Sequence, residues 1–296
     1  MNAADGALDW EQALARAAGA ARLLVLGATD AGKSSFILEL LRRSGGRAAV
    51  IDLDPGQKMF GPPGTVGLAF AEGGAPPRPD RYIWVGTTSA SAIGAIARGA
   101  ATLVAAAAAE AVILNTAGFV RGLGLRLQLA TVAAARPTLI LAIGEDEGLA
   151  PILAGASAVP ALRIPASPHA RRKTPAARAA VRQAAFAEAL IGAQTRTFAD
   201  LRLEPGDALA FEASARPVCA LADSDGEDMA IGVLLGTEEG HVRVHSPRPP
   251  RPPAFLRLGK IWAEPAADGW KLLERLSPAW AAIIPRRAAA SSSPSQ

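Results

Sequence analysis

The sequence predicts an α/β fold: a P-loop NTPase domain with a mostly parallel sheet covered by helices, followed by a small C-terminal β-rich domain. Three observations lead there. A glycine-rich loop, GATDAGKSS at 27–35, stands between the apolar run RLLVLG and the helix-like FILELLRR. Apolar runs of strand length then alternate with helical stretches up to about residue 190. After about 200, helix signals nearly vanish and short strand-like runs separated by turn residues take over.

In chain order, residues 7–19 (ALDWEQALARAAG) carry an amphipathic helical pattern that Gly19 can end. RLLVLG reads as a buried strand, KSSFILELLRRSGG as a helix closed by Gly45 and Gly46, and AAVIDLDPGQ as a second buried strand stopped by Asp-Pro-Gly. Strand, glycine loop, helix and strand make a βαβ unit. RYIWVG at 81–86, AVILN at 111–115 and TLILAIG at 138–144 continue the sheet, with helices near 91–109 and 123–135 between them. Such alternation belongs to a parallel sheet covered on both faces.

Beyond 200, FEASARPVCALAD, MAIGVLLG, HVRVHSP and LRLGKIWAEP predict strands, SPRPPRPP at 246–253 an extended polyproline loop, and AAASSSPSQ a disordered tail. The expected division is a P-loop domain over 1–200 with a basic lid at about 165–192, a β-rich domain over 201–287 and a tail over 288–296. Trp262, Trp270 and Trp280 are expected in the core of the small domain or at its seam with the sheet.

Half of the 296 residues are hydrophobic, enough for one large core or two smaller ones. A net charge of +4 and a pI near 9.7 permit an anionic partner. Cys219 is the only cysteine, which excludes an intrachain disulfide or an all-cysteine metal site and suits a reducing compartment. The N-terminus lacks the basic start and apolar core of a secretion signal. The most apolar stretches, 100–114 and 123–143, are broken by Glu110, Arg126 and Arg136, so a cytoplasmic protein without a membrane span is expected. His169, His241 and His245 are too scattered for a metal site and are expected on the surface or in strands.

Gly27, Gly32, Lys33 and Ser34 satisfy G-x-x-x-x-G-K-[ST] in the strand-to-helix context that the motif requires. Backbone N–H groups of the loop, which also contains Thr29, Asp30, Ala31 and Ser35, are expected to cradle the phosphates of a nucleotide. Lys33 would reach the outer phosphates and Ser34 would offer an oxygen to Mg²⁺. The next strand ends in IDLDPGQ, at the same sheet edge as the loop. Alternate strand residues share a face, so of Asp52 and Asp54 one can hold Mg²⁺ while the other, or Gln57, addresses the attacking group. A guanine-reading NKxD is missing, since NTAG at 115–118 lacks the lysine and the aspartate, which disfavours a GTPase switch. Between Glu147 and Glu188 no acid occurs, whereas Arg163, Arg171, Arg172, Lys173, Arg178 and Arg182 all fall inside. On a helix starting at 175, Arg178 and Arg182 share a face. The stretch is either a solvated basic face or part of a groove for nucleic acid. Arg121 can meet a backbone phosphate.

Taken in order, GATDAGKSS, VIDLDPGQ, GPPGTVGL, WVGTTSA and LNTAGFVRGLG resemble the polynucleotide 5′-hydroxyl kinase family, which includes the messenger-RNA cleavage-factor kinase subunit and the pre-ribosomal RNA processing kinase. The resemblance runs from about 22 to 192 and more loosely through the β-rich tail. It implies transfer of the γ-phosphate of ATP, with Mg²⁺, to the 5′-hydroxyl of RNA or DNA. It matches Lys33 and Ser34 to nucleotide and Mg²⁺ ligands and Asp52 to the carboxylate that activates the hydroxyl, with Asp54, on the metal side, and Gln57 as its neighbours. It further matches Thr87 or Thr88 and Phe119, with Asn115 of the same segment, to a clasp on the terminal nucleotide. Arg172, Arg178 and Arg182 match a lid that closes over the phosphates, where an arginine would stabilise the developing charge. Phe119 stands where relatives carry tryptophan, keeping a π-face of smaller area, and TSA replaces TSP. Relatives with a folded domain ahead of the kinase core have no counterpart in the roughly twenty residues here, so their adenine recognition does not carry over. Two other readings share the P-loop: an ATP-binding scaffold in nucleic-acid processing, and a simple ATPase. Neither needs a terminal-nucleotide clasp.

Overall fold

The computed structural model describes residues 8–204, 215–238 and 240–273. Its first sheet has seven strands in the order β4-β3-β2-β5-β1-β6-β7. The parallel part comprises β1 (Arg22–Gly27), β2 (Arg47–Asp52), β5 (Ala111–Asn115), β6 (Leu139–Ile143) and β7 (Ala161–Ile164). β3 (Thr65–Glu72) and β4 (Arg78–Trp84) extend it as an antiparallel meander from β2.

Because side chains alternate along a strand, β1 feeds two cores. Leu24 and Leu26 pack with α3 (Ile93–Ala106), α4 (Leu123–Ala135) and α5 (Leu149–Gly155). Leu23 and Val25 pack on the other face with α1 (Trp10–Ala17), whose N-terminus is closed by an Asp9–Gln12 capping box, and α2 (Lys33–Arg43). Parallel pairing brings the carboxyl ends of β1, β2 and β5 to one edge, the usual place for a ligand crevice in such sheets.

β5 and α4 stand where the pattern puts them. α3 is shorter than expected because the preceding Thr87, Ser89 and Ser91 form hydroxyl-bonded turns: Ser89 N donates to Thr87 Oγ1 and Ser91 N to Ser89 Oγ. The sequence reading does not anticipate β3, α5 or β7. β3 is buried on both faces and shows no alternation, α5 has seven residues including Pro151, and β7 has only four.

The second sheet runs β14-β13-β10-β11-β12-β8, with β9 beside β13. It contains β8 (Gln194–Ala199), β9 (Arg202–Glu204), β10 (Arg216–Ala222), β11 (Asp228–Glu238), β12 (His241–Ser246), β13 (Phe255–Ala266) and β14 (Gly269–Leu273). All its pairings are antiparallel except β9 with β13. One face packs Val218, Ile231 and Val233 against Trp84 of β4 and Phe186 of α6 (Pro175–Ala189). The buried aromatics joining the two sheets are therefore Trp84 and Phe186, with half-buried Trp270 at the margin of that cluster. Trp262 is half-buried in β13. Trp280 and the expected tail at 288–296 lie outside the described residues.

Candidate functional site

The glycine loop passes directly into α2. Gly32 is the N-cap residue, with a left-handed φ of 103° and no side-chain cap. Glycine adopts this conformation at little cost, and a Cβ here would also come within 2.9 Å of Ser167 Cβ. The first N–H groups of α2 have no intrahelical partners and sit at the wall of a cleft of about 880 Å³. Thr29, Asp30, Gly32, Lys33, Ser34 and Ser35 line that cleft, whereas Gly27 and Ala31 form the loop's supporting base. Uncapped N–H groups at the positive end of a helix are a donor set suited to phosphate oxygens. Lys33 is 8% exposed, and its Nζ donates to Gly27 O at 2.9 Å and Ala28 O at 3.0 Å. Burial lowers its pKa to about 8, against the charges of Asp54, Asp30 and Asp52. Thr29 Oγ1 donates to Gly118 O at 3.2 Å, tying the loop to the NTAG segment.

The two acids of IDLDPGQ are placed apart. Asp52 ends β2 and is 0% exposed. Its Oδ1 accepts from Asn115 Nδ2 at 2.9 Å, and its Oδ2 accepts from Met59 N at 2.8 Å and pairs with the buried Lys58 Nζ at 2.9 Å. This corrects the expectation that Asp52 faces the reacting phosphate. The chain beyond DPGQ folds back over it, and a carboxylate withdrawn from water requires such partners. Asp54, past the strand end, is half-buried and lines the cleft together with Gln57. Asp54 Oδ1 accepts from Gly56 N and Gln57 N, both at 2.9 Å. Burial and then the charge of Asp52 raise its pKa, against these N–H bonds and Lys58. Asn115 also lines the cleft, and its Oδ1 is buried with no hydrogen-bond partner among the described residues, a need that a bound donor would meet.

Thr88 also lines the cleft, while the Thr87 hydroxyl accepts from Ser89 N at 3.1 Å and is not part of the lining. Phe119 is 42% exposed and lines the cleft, with its carbonyl held by Gln128 Nε2 at 3.2 Å. Arg121 lies outside. It pairs with Asp146 at 2.9 Å and Glu147 at 3.4 Å, so the expected phosphate contact is corrected to a surface ion-pair group. From the basic stretch, Arg171, Lys173, Arg178 and Arg182 line the cleft, whereas Arg172 is exposed and does not, a third correction. His169, expected on the surface or in a strand, is an exposed residue of the cleft lining. Arg178 Nη2 donates to Asp30 Oδ2 at 2.7 Å, and Lys173 N donates to the same oxygen at 3.0 Å.

Sequence reasoning missed Lys58, whose only signal is a lysine six residues after an acid that must be buried. It also missed an apolar end of the cleft made by Leu38, Met59, Phe60, Pro76 and Pro77, residues from separate elements with no common motif.

Fold and site together define a P-loop protein of the nucleotide-binding α/β class. The model of the mRNA cleavage and polyadenylation factor CLP1 P-loop matches residues 27–190, more than half of the chain, and the chain belongs to that family. It is similar to the polyribonucleotide 5′-hydroxyl-kinase of Pyrococcus abyssi, with 34% identity over 146 residues, covering 46% of this chain and 41% of the relative. The enzyme of the same description from Thermococcus kodakarensis is 37% identical over 139 residues, covering 43% of this chain and 40% of the relative. The matched part spans about two fifths of the length of these curated relatives. Among solved structures, the wild-type Clp1p–Pcf11p complex aligns with a TM-score of 0.63 at 12% identity, covering 81% of this chain and 74% of that one. A second Clp1p structure, described with an extended Pcf11p interface and a Gly135Arg mutant, gives 0.66 at 12%, covering 85% and 77%. At this identity the likeness concerns the fold. Among the described residues no helix is long and apolar enough to cross a membrane.

Proposed function

We propose that the protein is an ATP-dependent polynucleotide 5′-hydroxyl kinase, transferring the γ-phosphate of ATP to the 5′-hydroxyl of RNA or DNA. The observation that carries the reading is the convergence, in one cleft, of Lys33 and Ser34 from the phosphate loop, Asp54 from the acid loop, Phe119 as an exposed ring and Arg178 and Arg182 from α6. The names of the archaeal relatives support it. An ATPase or inert scaffold has no use for an open aromatic platform beside the phosphate loop.

Lys33 and the N–H groups at the start of α2 would hold the outer phosphates. Ser34 and, through water, Asp54 would hold Mg²⁺, which when bound neutralises charge on the transferred group. With Asp52 closed off, Asp54, which lines the cleft, would be the acid of the pair that accepts the proton of the 5′-hydroxyl. Phe119 would stack the terminal base and Thr88 would border its sugar. Arg178 and Arg182 would stabilise charge on the transferring phosphoryl. The lone cysteine suits a reducing compartment, and we place the reaction in the cytoplasm.

The test is transfer of label from γ-labelled ATP to a 5′-hydroxyl oligonucleotide, run with matched RNA and DNA strands. Labelled product that disappears in Lys33→Ala and Asp54→Asn is expected. ATP hydrolysis indifferent to oligonucleotide would establish an ATPase instead, and tight ATP binding with no turnover a scaffold.

A further inference from the structure

The C-terminal sheet reaches the cleft through a crossing of two backbones. Gly86, just past β4, and Gly259, in β13, lie so close that a Cβ on Gly259 would stand 2.3 Å from Gly86 O. Beside the crossing, Lys260 N donates to Gly86 O at 2.6 Å. Two residues upstream, Trp84 N donates to the Oδ2 of buried Asp228 at 2.7 Å, and the other oxygen of Asp228 accepts from Arg257 at 2.9 Å. On the first-sheet side, Val85 N and Gly86 N both donate to Gly64 O, at 2.8 and 3.1 Å. The chain leaving the crossing carries Thr87 and Thr88. The Thr88 carbonyl rests against Gly56, where a Cβ would stand 2.6 Å away, and Gly56 N is bonded to Asp54. Contacts thus run without a gap from β13 through Gly86 and Thr88 to the acid loop.

We propose that Gly259 and Asp228 are positioning residues for the acceptor: the C-terminal sheet sets the place of the Thr88 loop, and through it the binding of the 5′-hydroxyl nucleotide, without touching the nucleotide. The identity of the acceptor rests on the kinase reading, whereas the mechanical link does not. Gly259 has no positive φ, so what its position demands is the absence of a Cβ and not a glycine-only conformation.

Gly259→Ala tests this, with Gly236→Ala as control, because a Cβ at Gly236 on β11 of the same sheet meets nothing within 4 Å. A displacement of about 1 Å can cost about 100-fold in rate. We therefore expect kcat/KM for the oligonucleotide to fall by about tenfold or more, with KM for ATP changed less than about twofold. Amide exchange across 85–90 should quicken, and Gly236→Ala should match the parent protein. Should Gly259→Ala fail to fold, Asp228→Ala, which removes the acceptor for Trp84 N, takes the same measurements. A rise in KM for ATP as large as the fall in kcat/KM for the oligonucleotide, or unchanged exchange in the 85–90 loop, would overturn the proposal. A parent protein that binds ATP but labels no oligonucleotide rejects the kinase reading instead, and loop exchange then decides the positioning claim by itself.

Discussion

Arg178 of α6 and Asp30 of the glycine loop are joined at 2.7 Å, so α6 is fastened to that loop by the same arginine that, in the proposed kinase, would meet the phosphates. α6 is also held from behind. Gln183 Nε2 donates to Trp270 O and its Oε1 accepts from Leu272 N, both at 2.8 Å, while Phe186 is buried among the strands of the second sheet. α6 is therefore anchored at both ends of these contacts, to the glycine loop and to the second sheet. Arg178→Ala should lower kcat by about 10³-fold, the scale of an arginine acting on a transferring phosphoryl. The ion pair is partly buried, with the Arg178 side chain 29% and the Asp30 side chain 14% exposed, so losing it should cost more than the roughly 1 kcal/mol of a surface pair and lower the melting temperature measurably. Steady-state kinetics and a thermal melt check both.

Asp52 and Asp54 should fail in different ways when each is changed to Asn. Asp52→Asn leaves the buried Lys58 charge without its partner, which costs about 3–5 kcal/mol. Denaturant unfolding should show that loss. Asp54→Asn should abolish transfer while leaving the unfolding midpoint close to that of the parent protein, because Asp54 faces the cleft.

Nucleotide affinity should weaken as pH rises above about 8. Burial holds the Lys33 pKa near 8 in the free protein, whereas a bound polyphosphate favours the charged form. Below 8 the ammonium is already present, and above 8 binding must take up a proton. The same depression makes the stability contribution of Lys33 rise with pH between about 8 and its ordinary value of 10.5, since the unfolded chain keeps a proton there that the native protein has released. Calorimetric titration in buffers of different ionisation enthalpy should detect proton uptake at alkaline pH, and Lys33→Ala should remove it.

Phe119→Ala should raise KM for the oligonucleotide by about 5- to 150-fold, the equivalent of roughly 1–3 kcal/mol for a lost base-stacking platform. KM for ATP should be unaffected. Phe119→Trp should lower KM for the oligonucleotide by enlarging the ring at an exposed position.

Much of this site is legible in the sequence because its parts are local. The spacing of Gly27, Gly32, Lys33 and Ser34 acts within one strand-to-helix turn. The spacing of Arg178 and Arg182 needs only helical α6 to put both on one face, and both line the cleft. Arg172 and Arg121 misled for the opposite reason. A basic residue near a motif says nothing about which neighbour it meets, and Arg121 meets Asp146 and Glu147 from the turn after β6.

By itself the sequence determined the α/β class, the phosphate loop and the order of motifs around it, since each depends on residues within a few positions of one another. Only the tertiary structure decided which acid faces the cleft. Strand alternation treats Asp52 and Asp54 alike, but β2 ends at Asp52, and Lys58, Met59 and Asn115 converge on it from two separate segments. A carboxylate goes to the interior where partners from distant parts of the chain can replace its water, and no local pattern records where they will be.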